Sequence, residues 1–218
     1  TNQSTGISLS SVTATTATLT MPVIKDKQFT LTMDNYSKPT ISRCPSWLEH
    51  ITPVSTRSTP ENKTVSFTFK LKEDATSFDD TQIVFTNATG GTSMTMNIAR
   101  EFQTPTIEVV STDPSVNSYI SSNKSLNLYQ LKSSYYSTVT LKVYSLGGSV
   151  LQLPGGVEAD FAESNTKEHN YVIKYKTSSL SLSDVNSGTL YVKNLSDETK
   201  REAIAFTFKS SLPTVTSN

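Results

Sequence analysis

Thr64-Val-Ser-Phe-Thr-Phe-Lys-Leu71, then Thr81-Gln-Ile-Val-Phe-Thr86, a Gly90-Gly91 turn and Thr92-Ser-Met-Thr-Met-Asn-Ile98 form the stretch that decides the fold class. Val65, Phe67, Phe69 and Leu71 fall on every second position, with polar residues between them. That period of two is the mark of a half-buried strand, one face in a core and one in water. The same alternation returns in Tyr171-Val-Ile-Lys-Tyr-Lys176, Gly188-Thr-Leu-Tyr-Val-Lys193 and Glu202-Ala-Ile-Ala-Phe-Thr-Phe208.

Working outward, Ala17–Met21 reads as a strand ended by Pro22, which suits an edge or a bend better than a central ladder because proline cannot donate to one. Gln28–Met33 and Thr40–Cys44 follow, and Pro45-Ser-Trp-Leu-Glu-His-Ile51 leads to a Ser/Thr/Pro loop from Pro53 to Lys63. Thr104-Pro-Thr106 is the natural boundary between two units. Beyond it lie strands at Ile107–Val110, Leu126–Leu131, Thr138–Tyr144 and Val150–Leu153. Helix is expected at most as a single turn within Gly155–Asn165. Short strands about 8–12 residues apart, with turn residues between them, read as all-β sandwich.

The two halves align in order. Phe29, Leu31 and Met33 match Val139, Leu141 and Val143; Ile41, Cys44, Pro45, Leu48 and Glu49 match Val150, Leu153, Pro154, Val157 and Glu158. Phe67 and Phe69 are laid on Ile173 and Tyr175, and Ile83 and Asn87 on Leu190 and Asn194. The division is therefore a Ser/Thr-rich linker over 1–16, one module over 17–103, a divergent repeat over 104–210 and a tail over 211–218.

Composition fits thin sandwiches. Apolar residues make up 35% of the 218, and Ser plus Thr roughly 30%, well above ordinary usage. Nineteen basic residues balance nineteen acidic ones, which argues against nucleic acid, whose phosphates demand a clustered basic surface. The lone Cys44 cannot form an intrachain disulfide. No apolar run approaches the roughly 20 residues of a membrane-spanning helix. The chain starts without Met or signal peptide and is expected to be trimmed or cut from something longer. A lipid-anchored surface protein carries a Ser/Thr tether of this kind after its processed N-terminus, as do many other multidomain chains.

With Cys44-Pro-Ser-Trp-Leu48 ahead of Val65-Ser-Phe-Thr-Phe69 and the strands Gln82–Phe85 and Met94–Ile98, the first half resembles a BACON-type module. That family (Bacteroidetes-associated carbohydrate-binding, often N-terminal) is an immunoglobulin-like sandwich. The likeness covers about residues 17–103 and, more weakly, 120–209. The turn Ala75-Thr-Ser-Phe-Asp-Asp80 lacks the Asn and Arg that the family often carries there, and Gly156 stands where the second half should have its Trp. The resemblance implies two tandem immunoglobulin-like β-sandwich modules on a secreted or outer-surface protein of a gut-type bacterium, beside glycan-degrading or adhesive machinery.

Candidate chemistry is sparse. His50 and His169 are the available imidazoles, and neither sits in a nucleophile motif, so each is expected to be a solvated strand or loop residue. Cys44 reads as a small buried hydrophobe. Glu49 and Glu158 lie in different modules and make no glycosidase pair. Asp74, Asp79 and Asp80 share one loop without the dense spacing of a calcium site. Trp47 is either a sugar-stacking platform or core, with Phe161 as its nearest replacement in the second module. Tyr36, Tyr119, Tyr135 and Tyr136 are the other candidate ligand-contacting aromatics. No catalytic residue, metal site or cofactor is expected. The expected role is non-catalytic, an adhesion or glycan-contacting module whose partner is a glycan, mucin or another surface protein. The alternative is a spacer that holds another domain away from the cell.

Overall fold

A computed structural model describes residues 5–8, 16–34, 38–51, 64–87, 93–113, 119–120, 125–132, 135–136, 138–175 and 185–209. The described residues contain strands and turns and no helix. The chain divides into two compact units, Thr1–Gln103 and Thr104–Asn218, at the boundary expected from Thr104-Pro-Thr106.

In the first unit, β1 (Thr5–Ser8), β3 (Gln28–Asp34), β6 (Thr64–Leu71) and β5 (Leu48–Ile51) form one sheet in the order β1-β3-β6-β5. The other sheet runs β2-β8-β7-β4, from β2 (Thr16–Pro22), β8 (Ser93–Glu101), β7 (Gln82–Asn87) and β4 (Pro39–Arg43). This is the immunoglobulin-like order, with successive strands dealt between two sheets. Consequently β6 and β7 are not one ladder: the chain crosses from one sheet to the other between them, and only β7–β8 is a hairpin. The alternating face of β6 meets that of β7 across the interior, with Phe67 and Phe85 ring centroids 5.1 Å apart. β2 lies at an edge and pairs in parallel with β8 through Pro22, the first of the two settings the proline left open.

The second unit repeats the plan. One sheet is β15-β17-β13-β9, from β9 (Thr106–Asp113), β13 (Thr138–Tyr144), β15 (Val157–Ala159) and β17 (Glu168–Tyr175). The other runs β10-β11-β19-β18-β14-β16. Its strands are β10 (Tyr119–Ile120), β11 (Ser125–Lys132), β14 (Ser149–Gln152), β16 (Glu163–Ser164), β18 (Val185–Asn194) and β19 (Asp197–Lys209), with β12 (Tyr135–Tyr136) on β11. Val139, Leu141, Val143, Tyr171 and Ile173 from the first sheet pack with Leu151, Leu190, Val192 and Ile204 from the second. Each such aliphatic side chain taken out of water contributes about 1.5–3 kcal/mol.

The ladders follow one plan in both units and correct the register of the alignment. Phe29 faces Phe69 and Leu31 faces Phe67, while Val139 faces Ile173 and Leu141 faces Tyr171. Phe67 and Phe69 therefore correspond to Tyr171 and Ile173, two residues earlier than the sequence alignment had them. Likewise Ile41 corresponds to Leu151 rather than Val150, because Ile41 faces Phe85 as Leu151 faces Val192. The ladder slips between Ile41 and Arg43, so Ser42 is an extra bulged residue in β4.

Two further expectations change. The opening is not all linker, since Thr5–Ser8 pairs in parallel with Phe29–Thr32. The helical turn expected within Gly155–Asn165 is instead β15, a bend and β16, with Asp160 Oδ1 accepting from the main-chain N–H of both Phe161 and Val172. The 211–218 tail lies outside the described residues.

Candidate functional site

The turn carrying Trp47 is built alike in both units. Leu48 N–H closes on Pro45 carbonyl at 3.1 Å and Val157 N–H on Pro154 carbonyl at 3.2 Å. Gly156 sits at φ 83° in the second turn, a position that favours glycine. Trp47 is fully buried. Its ring lies against Phe78 at 5.5 Å, its N–H donates to the Asp80 main-chain carbonyl at 2.6 Å, and Phe78 meets Phe102 edge-on at 5.7 Å. Arg100 lies over Phe102 and donates to the Phe78 carbonyl. Trp47 is thus core, and its candidacy as a sugar platform ends there, since no face of the ring reaches solvent.

Phe161 does not replace it. That residue is 57% exposed. Near the corresponding turn, Pro154 lies against Gly188, where an added Cβ would stand 2.7 Å from the proline ring. Tyr36 lies outside the described residues, and Tyr119, Tyr135 and Tyr136 are described only as strand positions in β10 and β12.

Two of the loop carboxylates are taken up by protein groups. Asp80 takes Arg43 at 3.0 Å and the Gln82 N–H, and Asp79 takes the Ser77 hydroxyl. Among the described residues no group of His, Cys, Asp and Glu is placed to hold a metal ion. Cys44 is half-buried, and burial pushes its thiol up, with Lys72 opposing and Asp80 adding to the shift.

Neither histidine is the solvated residue expected. His50 in β5 packs on Phe67 and Phe69 at 5.8 and 5.4 Å, and His169 in β17 packs on Tyr171 at 4.5 Å and Phe161 at 5.5 Å. Both Nε2 atoms are buried without a hydrogen-bond partner. The reason is register: His169 faces Val143 and points with it toward the core side. A base needs its nitrogen within hydrogen-bond reach of a proton to be taken, and neither Nε2 has such a partner.

Two solvent-facing features of the second unit carry polar groups that can be described. An open depression of about 220 Å³ is lined by Thr106, Glu108, Lys142, Tyr144 and Glu168, and its one cation already faces Glu168 at 3.7 Å. The outer face of β14–β18–β19 is different. Leu190, Val192 and Ile204 point inward, so Tyr191, Ala203 and Gln152 form a cross-strand row outward. The Arg201 guanidinium lies 4.7 Å from the Tyr191 ring centroid. Alternation in Gly188–Lys193 could have shown Tyr191 outward. The Arg201 partnership was not legible, because the ladder jumps from Asn194–Asp197 to Lys193–Arg201 and leaves three β19 residues out of register.

No family model matches the chain, and no curated protein matches it. Among solved structures it is similar to a titin structure at 10% identity and TM-score 0.39, covering 86% of this chain and 93% of that one. It is also similar to titin domains z1z2 in complex with telethonin, at 10% identity, TM-score 0.30 and 88% and 91% coverage. A third is an endo-fucoidan hydrolase from glycoside hydrolase family 107, at 11% identity and TM-score 0.30, covering 91% of this chain and 28% of that one. The immunoglobulin-like assignment itself follows from the strand order of each unit.

Proposed function

We propose that the chain is a non-catalytic contact protein of a bacterial cell surface, acting in adhesion or in contact with glycan or mucin. The observation that supports it best is the outer face of β14–β18–β19, where Tyr191 stands outward beside Ala203 and Gln152 with the Arg201 guanidinium on its ring. Aromatic rings on such faces can cover the C–H side of a sugar, and they carry a polar handle at the rim. The BACON-type pattern around Trp47 supports the setting, although Trp47 itself serves the core. The buried, partnerless Nε2 atoms of both histidines and the protein-paired Asp80 support a non-catalytic role.

Retention of the whole chain on immobilised mucin and on a glycan array, compared with Tyr191→Ala, tests this reading. Binding by the parent chain and its loss in the folded variant are expected. A parent chain that binds no glycan and no mucin gives way to the spacer reading, which the tandem repeat favours. Hydrolysis of any polysaccharide above background overturns the non-catalytic role.

A further inference from the structure

The three described arginines have different environments. Arg43 donates to Asp80 from Nε and Nη2, and Arg100 donates to the Phe78 carbonyl. Arg201 is exposed, rests on the ring of Tyr191, and has no carboxylate or carbonyl partner among the described residues. Stacking holds a guanidinium plane in place while leaving its N–H edge open, and that edge matches the two oxygens of a carboxylate. A lysine at this position would present a point charge with no such fork.

The surroundings narrow the partner. Thr189, Ala203 and Ala205 are short exposed side chains beside the pair, and Gln152 adds an amide across the ladder from Tyr191. Lys193, the other cation in the row, is spoken for by Glu198 at 3.0 Å. Among the described residues of this unit, the exposed large apolar side chains Val110, Phe161 and Val172 lie off this face. A protein partner of ordinary affinity would want a desolvated apolar centre, and the described side chains of this face offer none. A polar chain of flat rings bearing carboxylates fits it better, with a ring edge beside Tyr191, hydroxyls at Gln152 and a carboxylate on Arg201.

We infer that the β14–β18–β19 face binds acidic polysaccharide, with Arg201 reading a sugar carboxylate and Tyr191 positioning the guanidinium. This rests on the glycan-contact reading above and adds the chemical class of the glycan. The chain is expected to bind two carboxylate-bearing probes, polygalacturonate and sialylated mucin. It should bind fully methyl-esterified polygalacturonate and desialylated mucin about tenfold more weakly or worse, as loss of a charge-assisted pair implies.

Titration calorimetry on the whole chain, with the parent, Arg201→Gln and Arg201→Lys, makes the test. Arg201→Gln keeps bulk and should lose about tenfold or more on the acidic probes, and Arg201→Lys should lose several-fold because the fork is gone. Far-UV circular dichroism confirms that each variant is folded. Lys193→Gln serves as the charge control and should leave binding within about twofold, being already paired.

Equal affinity for the charged and neutralised probes, or acidic-probe binding that ignores Arg201→Gln, overturns the carboxylate assignment while leaving glycan contact standing. Failure of every glycan and mucin, charged or neutral, overturns both.

Discussion

The indole N–H of Trp47 donates to the main-chain carbonyl of Asp80 at 2.6 Å, tying the turn before β5 to the loop before β7. The same Asp80 holds Arg43 with its carboxylate at 3.0 Å. One residue thus anchors a buried ring with its backbone and a surface cation with its side chain.

Trp47 is the chain's one tryptophan, so its fluorescence reports on the first unit. Emission should be blue-shifted and protected from acrylamide in the native protein, and should move red in a single step as that unit unfolds in urea. Trp47→Phe keeps much of the packing but leaves the Asp80 carbonyl without its donor, at a cost of about 1–3 kcal/mol. Trp47→Ala should cost about 3–5 kcal/mol. A red-shifted, freely quenched native spectrum contradicts the burial.

In the second unit, the buried Tyr171 hydroxyl donates toward Ser149, 2.8 Å from its Oγ and 3.1 Å from its carbonyl. Burial raises the phenol above its ordinary value near 10; the Ser149 hydrogen bond opposes this, and Glu163 and Asp160 add to it. The folded unit therefore keeps a proton that the unfolded chain releases above pH about 10. Its contribution to stability is complete below that pH and is lost as pH rises toward the folded value. Urea unfolding between pH 8 and about 11 should show a steeper decline for the parent than for Tyr171→Phe. Parallel curves defeat the assignment.

Two glycines should answer an alanine substitution in opposite ways. Gly148 sits at φ 84°, and a Cβ there would meet the Ser164 carbonyl oxygen at 2.6 Å and the Asn165 Cα at 3.0 Å. These are backbone atoms that cannot swing aside, so Gly148→Ala should cost at least about 1–3 kcal/mol. Gly155 has nothing within 4 Å of a built Cβ, and Gly155→Ala should be neutral or gain about 0.4–1 kcal/mol from a less free unfolded chain. Thermal melts of the pair decide it.

Asn194 is fully buried, donating from Nδ2 to the Leu146 carbonyl at 2.9 Å and accepting the Ser196 N–H at Oδ1 at 3.0 Å. Asn194→Asp keeps the shape but presents an acceptor to the Leu146 carbonyl. A loss of about 2 kcal/mol or more is expected at pH 7, easing as pH falls and the new carboxyl is protonated. An unchanged midpoint at both pH values contradicts the clasp between these two turns.

The strands and the repeat were legible because burial on one face leaves a period of two that loops cannot mimic. Thr138–Tyr144 was read with its observed ends. Register was not legible: the Ser42 bulge and the unequal loops shift partners by one or two residues without disturbing the apolar pattern. Nor did the sequence disclose that β6 and β7 belong to different sheets, since a crossing and a hairpin share the same alternation. The histidines were misread for the same reason, because placing His169 against Tyr171 requires the β13–β17 ladder. The Arg201–Tyr191 pair needed the irregular β18–β19 ladder.

The parallel pairing of β2 with β8 has a mechanical consequence. Seven registered positions, from Thr16–Thr95 to Pro22–Glu101, join an early strand to the last strand of the first unit, both running the same way. Tension drawing the start of β2 and the end of β8 apart acts along these strands, so the hydrogen bonds between them share the load in shear instead of opening one at a time like a zipper.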